Sequence, residues 1–172
     1  MRTAQVSSRI KRDEFTDKVL DLRRVTRVMA GGKRFRFRAT VVLGDGKGQV
    51  GVGVAKGVDV ASAVGKARLA AKKHLLRVTL RDGRTIPHEV RAKYSAARVI
   101  VKPAGPGHGL RAGGAPRFVL GLAGIKDATA KCLGRTSNQL TNARATIEAL
   151  KQLAPEIRTR KPEANSVKQT PA

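Results

Sequence analysis

Between Lys33 and Leu43 (KRFRFRATVVL) the chain alternates strictly, with Arg34, Arg36 and Arg38 on one side and Phe35, Phe37, Ala39, Val41 and Leu43 on the other. A period of two predicts a β-strand with a basic outer face and an apolar, core-facing side. Gly44, Asp45, Gly46, Lys47 and Gly48 follow, and Asp-Gly between alternating runs predicts a hairpin. The returning strand covers Gln49 to about Ala55, with Val50, Val52 and Val54 inward and Gly51 and Gly53 where another backbone can approach closely. Upstream, Lys18 to Met29 fits neither period cleanly and is assigned as a strand from its context. Downstream, Val60, Val64, Ala67, Ala71 and Leu75 recur at helical spacing after a candidate cap, Asp59, and predict a helix from Val60 to Arg77.

A turn at Asp82 and Gly83 opens a second pattern. It predicts strands at Thr85 to Lys93 and Ala97 to Lys102, a Gly/Pro loop from Pro103 to Gly109, and a helix starting near Pro116 and ending at Gly121 or Gly124. A short strand around Ile125 to Cys132 and a helix from about Asn138 to Leu153 complete it. The expected fold class is α+β, with an N-terminal three-stranded sheet plus helix followed by a C-terminal α/β domain with two helices. The expected divisions are a basic tail at 1–13, a first domain at 14–78, a second at 79–153 and a C-terminal tail at 154–172. Both tails are polar and aperiodic and read as mobile. The first either threads along RNA or hangs in solvent.

Charge changes the picture from fold to partner. The 172 residues hold 36 Lys and Arg against 12 Asp and Glu, a formal net charge of +24 with a sequence pI of about 11.6. Such a chain repels itself until a polyanion neutralises it, and nucleic acid is the commonest one. No run of 18 apolar residues, signal-peptide core or lipidation motif points to a membrane, so a soluble, cytosolic chain is expected. Cys132 is the single cysteine and reads as a small buried hydrophobe. His74, His88 and His108 are scattered without a paired nucleophile or carboxylate, so neither a metal, a cofactor nor catalysis is expected.

The densest basic cluster joins Arg23, Arg24, Arg27 and Lys33 to Arg34, Arg36 and Arg38, with no acidic residue between Arg23 and Arg38. Arginine pairs phosphate oxygens in a bidentate manner. With 4 Phe, 1 Tyr and no Trp, platforms for base stacking are few, so RNA is expected to be read mainly through its backbone. Gly46, Gly48 and Gly51 match a dinucleotide fingerprint in letters only, since a strand follows where a helix is required. Pro103, Gly105, Gly107 and Gly109 form a rigid loop suited to packing on RNA or a neighbouring protein, and the backbone around Gly113 and Gly114 suits an RNA phosphate.

At these residues the chain resembles the family of bacterial small-subunit ribosomal protein five. The resembling run is almost continuous from Lys18 to Leu150 and includes VTRVMAGGKRFRFRATVVLGDGKGQVGVGVAKG, AVGKARLAAKKHL, RVIVKPAGPGHGLRAGGAPRFVLGLAGIKDATAKCLG and NARATIEAL. The resemblance implies a first domain like a double-stranded RNA-binding domain and a second of a type seen in several kinases and chaperones. It implies a structural, non-enzymatic constituent of the small ribosomal subunit in the cytoplasm, a monomer within the ribosome near the decoding region. Implied partners are small-subunit rRNA, small-subunit proteins four and eight, and mRNA where it enters its channel, with a role in decoding accuracy. The expected rRNA-binding set is Arg23, Arg24, Arg27, Lys33, Arg34, Arg36, Arg38, Lys47, Lys56, Lys66, Lys72 and Lys73. The loop where the family acquires spectinomycin resistance corresponds to Val28, Met29, Ala30, Gly31, Gly32 and Lys33. A second set, Lys102, Gly105, Gly107, Gly109, Arg111, Gly113 and Gly114, is expected to touch RNA or protein.

The chain departs from the family pattern at several places. The usual Gly-Thr-Gly stands as Gly107, His108 and Gly109, Pro116 and Gly121 replace better helix formers, and Gly134 to Asn142 is altered. Two other readings belong to different classes: the protein subunit of an RNA-processing enzyme such as ribonuclease P, whose Arg-Asn-Arg helix signature is absent, and a free regulatory binder of double-stranded RNA.

Overall fold

The computed structural model describes residues 15–153. Both expected tails therefore lie outside the described residues. The first sheet is four-stranded, in the order β1 (Thr16–Met29), β2 (Gly32–Gly44), β3 (Gln49–Gly57), β4 (Leu75–Arg77), and antiparallel throughout. The poor periodicity of β1 has a cause. A bulge between Val19 and Asp21 shifts the register against β2, so Leu20 turns into the core while Val19 stays 42% exposed. At the β2–β3 hairpin, the Asp45 carboxylate accepts hydrogen bonds from the Lys47 and Gln49 amides at 2.7 and 2.8 Å, and Gly46 and Gly48 take positive φ. The fingerprint-like glycines thus lead into strand β3.

Helix α1 (Val60–Lys73) lies against one face of this sheet. It rests on glycines, as their spacing in β3 predicts: a Cβ on Gly53 would overlap the Ala67 carbonyl, and one on Gly51 would sit 2.6 Å from the Ala71 oxygen. Ala63 and Ala67 fill the remaining space against Ala39 and Val41, with Phe37, Ala55 and Val64 at the margin. The helix is shorter than expected. It ends at Lys73, and Leu75–Arg77 leave it to pair with β3 as a fourth strand, Leu75 opposite Gly51. Tertiary pairing overrides the helical spacing that carries through Leu75.

The second sheet has the order β5 (Val90–Tyr94), β6 (Ala97–Pro103), β8 (Ala128–Cys132), β7 (Leu110–Arg111), with β7 parallel to β8 and the other pairs antiparallel. Helices α2 (Gly114–Leu122) and α3 (Gln139–Lys151) complete the domain. Pro116 sits in the first turn of α2, where a missing N–H costs no helical hydrogen bond. The strand expected from Thr85 begins only at Val90, because Pro87 cannot donate to a ladder and Arg81–Thr85 close a local bridge around Asp82 and Gly83. The strand expected from Ile125 begins at Ala128, since the Lys126 and Asp127 amides donate to the Arg84 carbonyl.

The two units share a core. Leu20, Val42, Val50 and Val78 of the first pack in one apolar cluster with Val119, Leu120, Ala123 and Leu150 of the second. The β2–β3 turn is also stitched to the end of α2: the Gly46 amide donates to Leu122 O and the Gly48 amide to Ala123 O, both at 3.0 Å. A Cβ on Gly44 or Gly124 would collide with the backbone opposite. Val41, Val42 and Leu43 are consequently all fully buried, each side of β2 having its own cover.

Candidate nucleic-acid interface

Strand β3 reaches only as far as the pair Phe37–Gly57, whereas β1 and β2 continue to Met29 and Gly32. Five residue pairs, from Val25–Arg36 to Met29–Gly32, therefore extend beyond the sheet as a two-stranded ribbon about 17 Å long at the usual rise per residue. On one face the register sets Arg23 opposite Arg38, Val25 opposite Arg36 and Arg27 opposite Arg34, with Lys56 beside Arg38 on β3. Arg27, Arg34, Arg36 and Lys56, with Val25, Thr26 and Met29, line a shallow cleft of about 350 Å³. Among the described residues no carboxylate lies within 4.0 Å of Arg27, Arg34, Arg36 or Lys56, so their charge is open to an outside anion.

The same face does not stay basic along its length. Beyond Arg38 it continues as Thr40 and Val42, 1% and 0% exposed, beneath the second domain. Lys18 there sits 5.4 Å over the Phe118 ring of α2. Arg38 marks the border. Its side chain is only 32% exposed and faces Asp21 at 3.8 Å, and Asp21 also holds Arg23 at 2.8 Å. The acid-free stretch from Arg23 to Arg38 thus has an acidic neighbour just before it, brought opposite Thr40 by the bulge.

The remaining basic residues occupy other surfaces. Arg24 is on the opposite face of the ribbon, 4.0 Å over the Phe35 ring. Phe35, expected to face a core, is 46% exposed, because the ribbon runs past the end of α1 and no element among the described residues packs on that face. Lys66 and Lys73 are exposed on α1, behind the sheet from the arginine cleft, and Lys72 is half-buried with its ammonium 5.8 Å over Phe15. Lys47 lies in the turn beside the end of α2. The expected binding set therefore divides among the two faces of the ribbon, helix α1 and the β2–β3 turn. Val28, Met29, Ala30, Gly31, Gly32 and Lys33 form the ribbon's tip, joined by a turn at Ala30 and Gly31 and exposed throughout. Gly32, at φ +123°, has a backbone that other residues rarely adopt.

In the second domain the glycine loop is held from beneath. Asp127, 2% exposed, accepts from the Gly109 amide at 2.9 Å and from Arg84 Nε at 2.9 Å. The Gly109 amide first, then Arg84, holds its carboxyl below the usual aspartate range. Gly107, Gly109 and Gly114 take positive φ, at 86°, 74° and 54°. Gly113 caps α2 with its backbone alone, and Gly105 and Arg111 are exposed. Lys102 is engaged, 3.2 Å from Glu89, which also pairs with Arg91 at 2.8 Å. Sequence reasoning missed Asp21, Arg84 and Asp127. The available signal was scarcity: each is an acid, or the partner of an acid, in a chain that has few.

Cys132 is only partly buried rather than fully buried as expected, and that burial pushes its thiol up from its ordinary value. Among the described residues no group of three His, Cys, Asp or Glu side chains could hold a metal, and no helix is long and apolar enough to cross a membrane.

Sequence comparison places this geometry in a family. Residues 15–79 match the model of the ribosomal protein S5 N-terminal domain, and residues 92–158 that of its C-terminal domain. The chain is 50% identical over 143 residues to small ribosomal subunit protein uS5 of Synechococcus elongatus, covering 83% of this chain and 79% of that protein. It is 46% identical over 152 residues to uS5c of Emiliania huxleyi, covering 88% and 95% respectively. Against uS5c of Spinacia oleracea it is 51% identical over 142 residues, 83% of this chain but only 46% of that longer relative. The chain belongs to the ribosomal protein S5 family, whose members are structural constituents of the small ribosomal subunit rather than enzymes.

Proposed function

We propose that the chain grips small-subunit rRNA with the arginine face of its protruding ribbon. The observation that carries this reading is the cleft of Arg27, Arg34, Arg36 and Lys56, which projects clear of the core and has no acidic partner among the described residues. Unneutralised guanidinium groups on a narrow two-stranded arm suit a phosphate backbone. Arg23 and Arg38 contribute less, since Asp21 already engages both. The glycine loop pinned by Asp127, with Arg111, Gly113 and Gly114, is the surface offered to RNA or to neighbouring small-subunit proteins four and eight. The exposed lysines of α1, Lys66 and Lys73, offer charge to a second RNA segment or to mRNA where it enters its channel. Support for decoding accuracy then comes from holding these contacts in place, within ribosomes of a bacterial cytoplasm or a plastid. The family match leaves no ground for the ribonuclease P reading.

The test is equilibrium binding of the purified full chain to protein-free small-subunit rRNA. Replacing Arg27, Arg34 and Arg36 together by Glu is expected to weaken binding at least a hundredfold, at roughly 1 to 2 kcal/mol for each reversed phosphate contact. Unchanged affinity removes the ribbon face from the site.

A further inference from the structure

The ribbon has a second face, and the arginine cleft does not account for it. On it the register places Thr26 opposite Phe35, Arg24 opposite Phe37 and Val28 opposite Lys33. Among the described residues Phe35 belongs to neither apolar cluster, and it is 46% exposed on a basic arm. Arg24 holds the ring, its guanidinium carbon 4.0 Å from the centroid. Leu22 and Val28, 44% and 73% exposed, extend the apolar surface along the strand. The charged residues interspersed with them, Arg24 and Lys33, are cationic, and no acidic residue occurs from Leu22 to Gly44.

We propose that Phe35 and Arg24 form a stacking platform for one unpaired nucleobase of the RNA held by this ribbon. The inference rests on the RNA-binding reading above and narrows it. A flat ring backed by a guanidinium, set among cations, complements a partner that is anionic and carries exposed π-faces. Unpaired nucleotides have both properties. A regular duplex does not, because its bases are stacked on one another, and an acidic protein segment would supply the charge without the ring. Arg24 limits the ring's freedom before binding, so little ordering is left to do when a base arrives. The RNA class that fits is a duplex interrupted by a bulge, loop or junction, with its backbone on the arginine face and one splayed base on the opposite face.

The test compares two probes for the full chain, an RNA duplex of about 16 base pairs and the same duplex with one unpaired adenosine, the length being that of a typical double-stranded RNA contact. The wild type is expected to prefer the bulged probe by about tenfold, the usual worth of one base on an aromatic ring. Phe35→Leu, which keeps apolar area and removes the ring, should abolish the preference and leave duplex affinity unchanged, and Phe35→Tyr should retain it. A preference that survives in Phe35→Leu, or its absence from the wild type, overturns the platform. The Arg27, Arg34 and Arg36 triple Glu variant separates the two readings, since it should weaken both probes alike. If it weakens neither while Phe35→Leu still removes the preference, the platform stands and the arginine cleft falls.

Discussion

Asp127 shows how much one carboxylate can organise in a chain with 12 acidic residues against 36 basic ones. It ties the glycine loop, through Gly109, to the segment joining the two domains, through Arg84. Because its folded pKa is depressed, its stabilising contribution is complete above the unfolded aspartate value of about 3.9 and is lost as pH falls through the folded value. Asp127→Asn should therefore lower the melting temperature at pH 7 and shrink that deficit progressively below about pH 4. Thermal melts of both proteins across that range check it, and a deficit independent of pH would assign the effect to shape instead of charge. Residue by residue, the sequence made arginine placement legible but not arginine availability. Strict alternation put Arg34, Arg36 and Arg38 on one face, while the bulge that brings Asp21 toward Arg38 leaves only a blurred period in β1. Phe35 has the same spacing as Phe37 and a different fate, decided by where α1 ends in space.

At the scale of elements, much of the architecture was written in spacing and turn chemistry: the β2–β3 hairpin, the helix packed on Gly51 and Gly53, and both helices of the second domain. Where expectation and structure part, a partner element is the cause. Leu75–Arg77 carry the last apolar position of the helical pattern yet pair with β3, and Thr85–Glu89 look extended yet stay outside the sheet, Thr85 closing a local bridge with Arg81 and Pro87 preceding β5. The glycine seat of α1 yields a prediction. Gly53→Val would drive a side chain into the helix backbone at Ala67 and Ala71 and should destabilise the protein by about 2 to 3 kcal/mol or more, read by urea denaturation. Gly65→Ala, on the exposed side of the same helix with nothing within 4 Å, should be neutral or stabilising by up to about 1 kcal/mol. Equal effects at the two sites would contradict the packing described for this helix.

The described residues form a basic arm on a packed base. The base consists of two sheets and three helices around two apolar clusters, the larger of which spans both domains, and is stitched by the Gly46 and Gly48 amides, so its two domains should unfold together. The charge of +24 is spread widely enough that attraction to RNA will be strong and salt-sensitive. If about eight phosphates are neutralised, affinity should drop by three to five decades between 50 and 200 mM salt, by analogy with duplex DNA. The triple Glu variant should flatten the logarithmic slope by about 3. Composition alone made the polyanion legible. The division of those lysines and arginines among ribbon, helix and turn was not, because it exists only after folding.

The central claim, that the free ribbon face anchors the chain in the small subunit, is tested most directly in cells. Tagged wild type and the Arg27, Arg34 and Arg36 triple Glu variant would be expressed side by side, and lysates sedimented in about 0.5 M salt, where loosely attached basic proteins dissociate. The wild type should travel with small subunits and their rRNA, and the variant should remain at the top of the gradient although purified samples show the same cooperative melt. Co-sedimentation of a folded variant at wild-type level would contradict the claim.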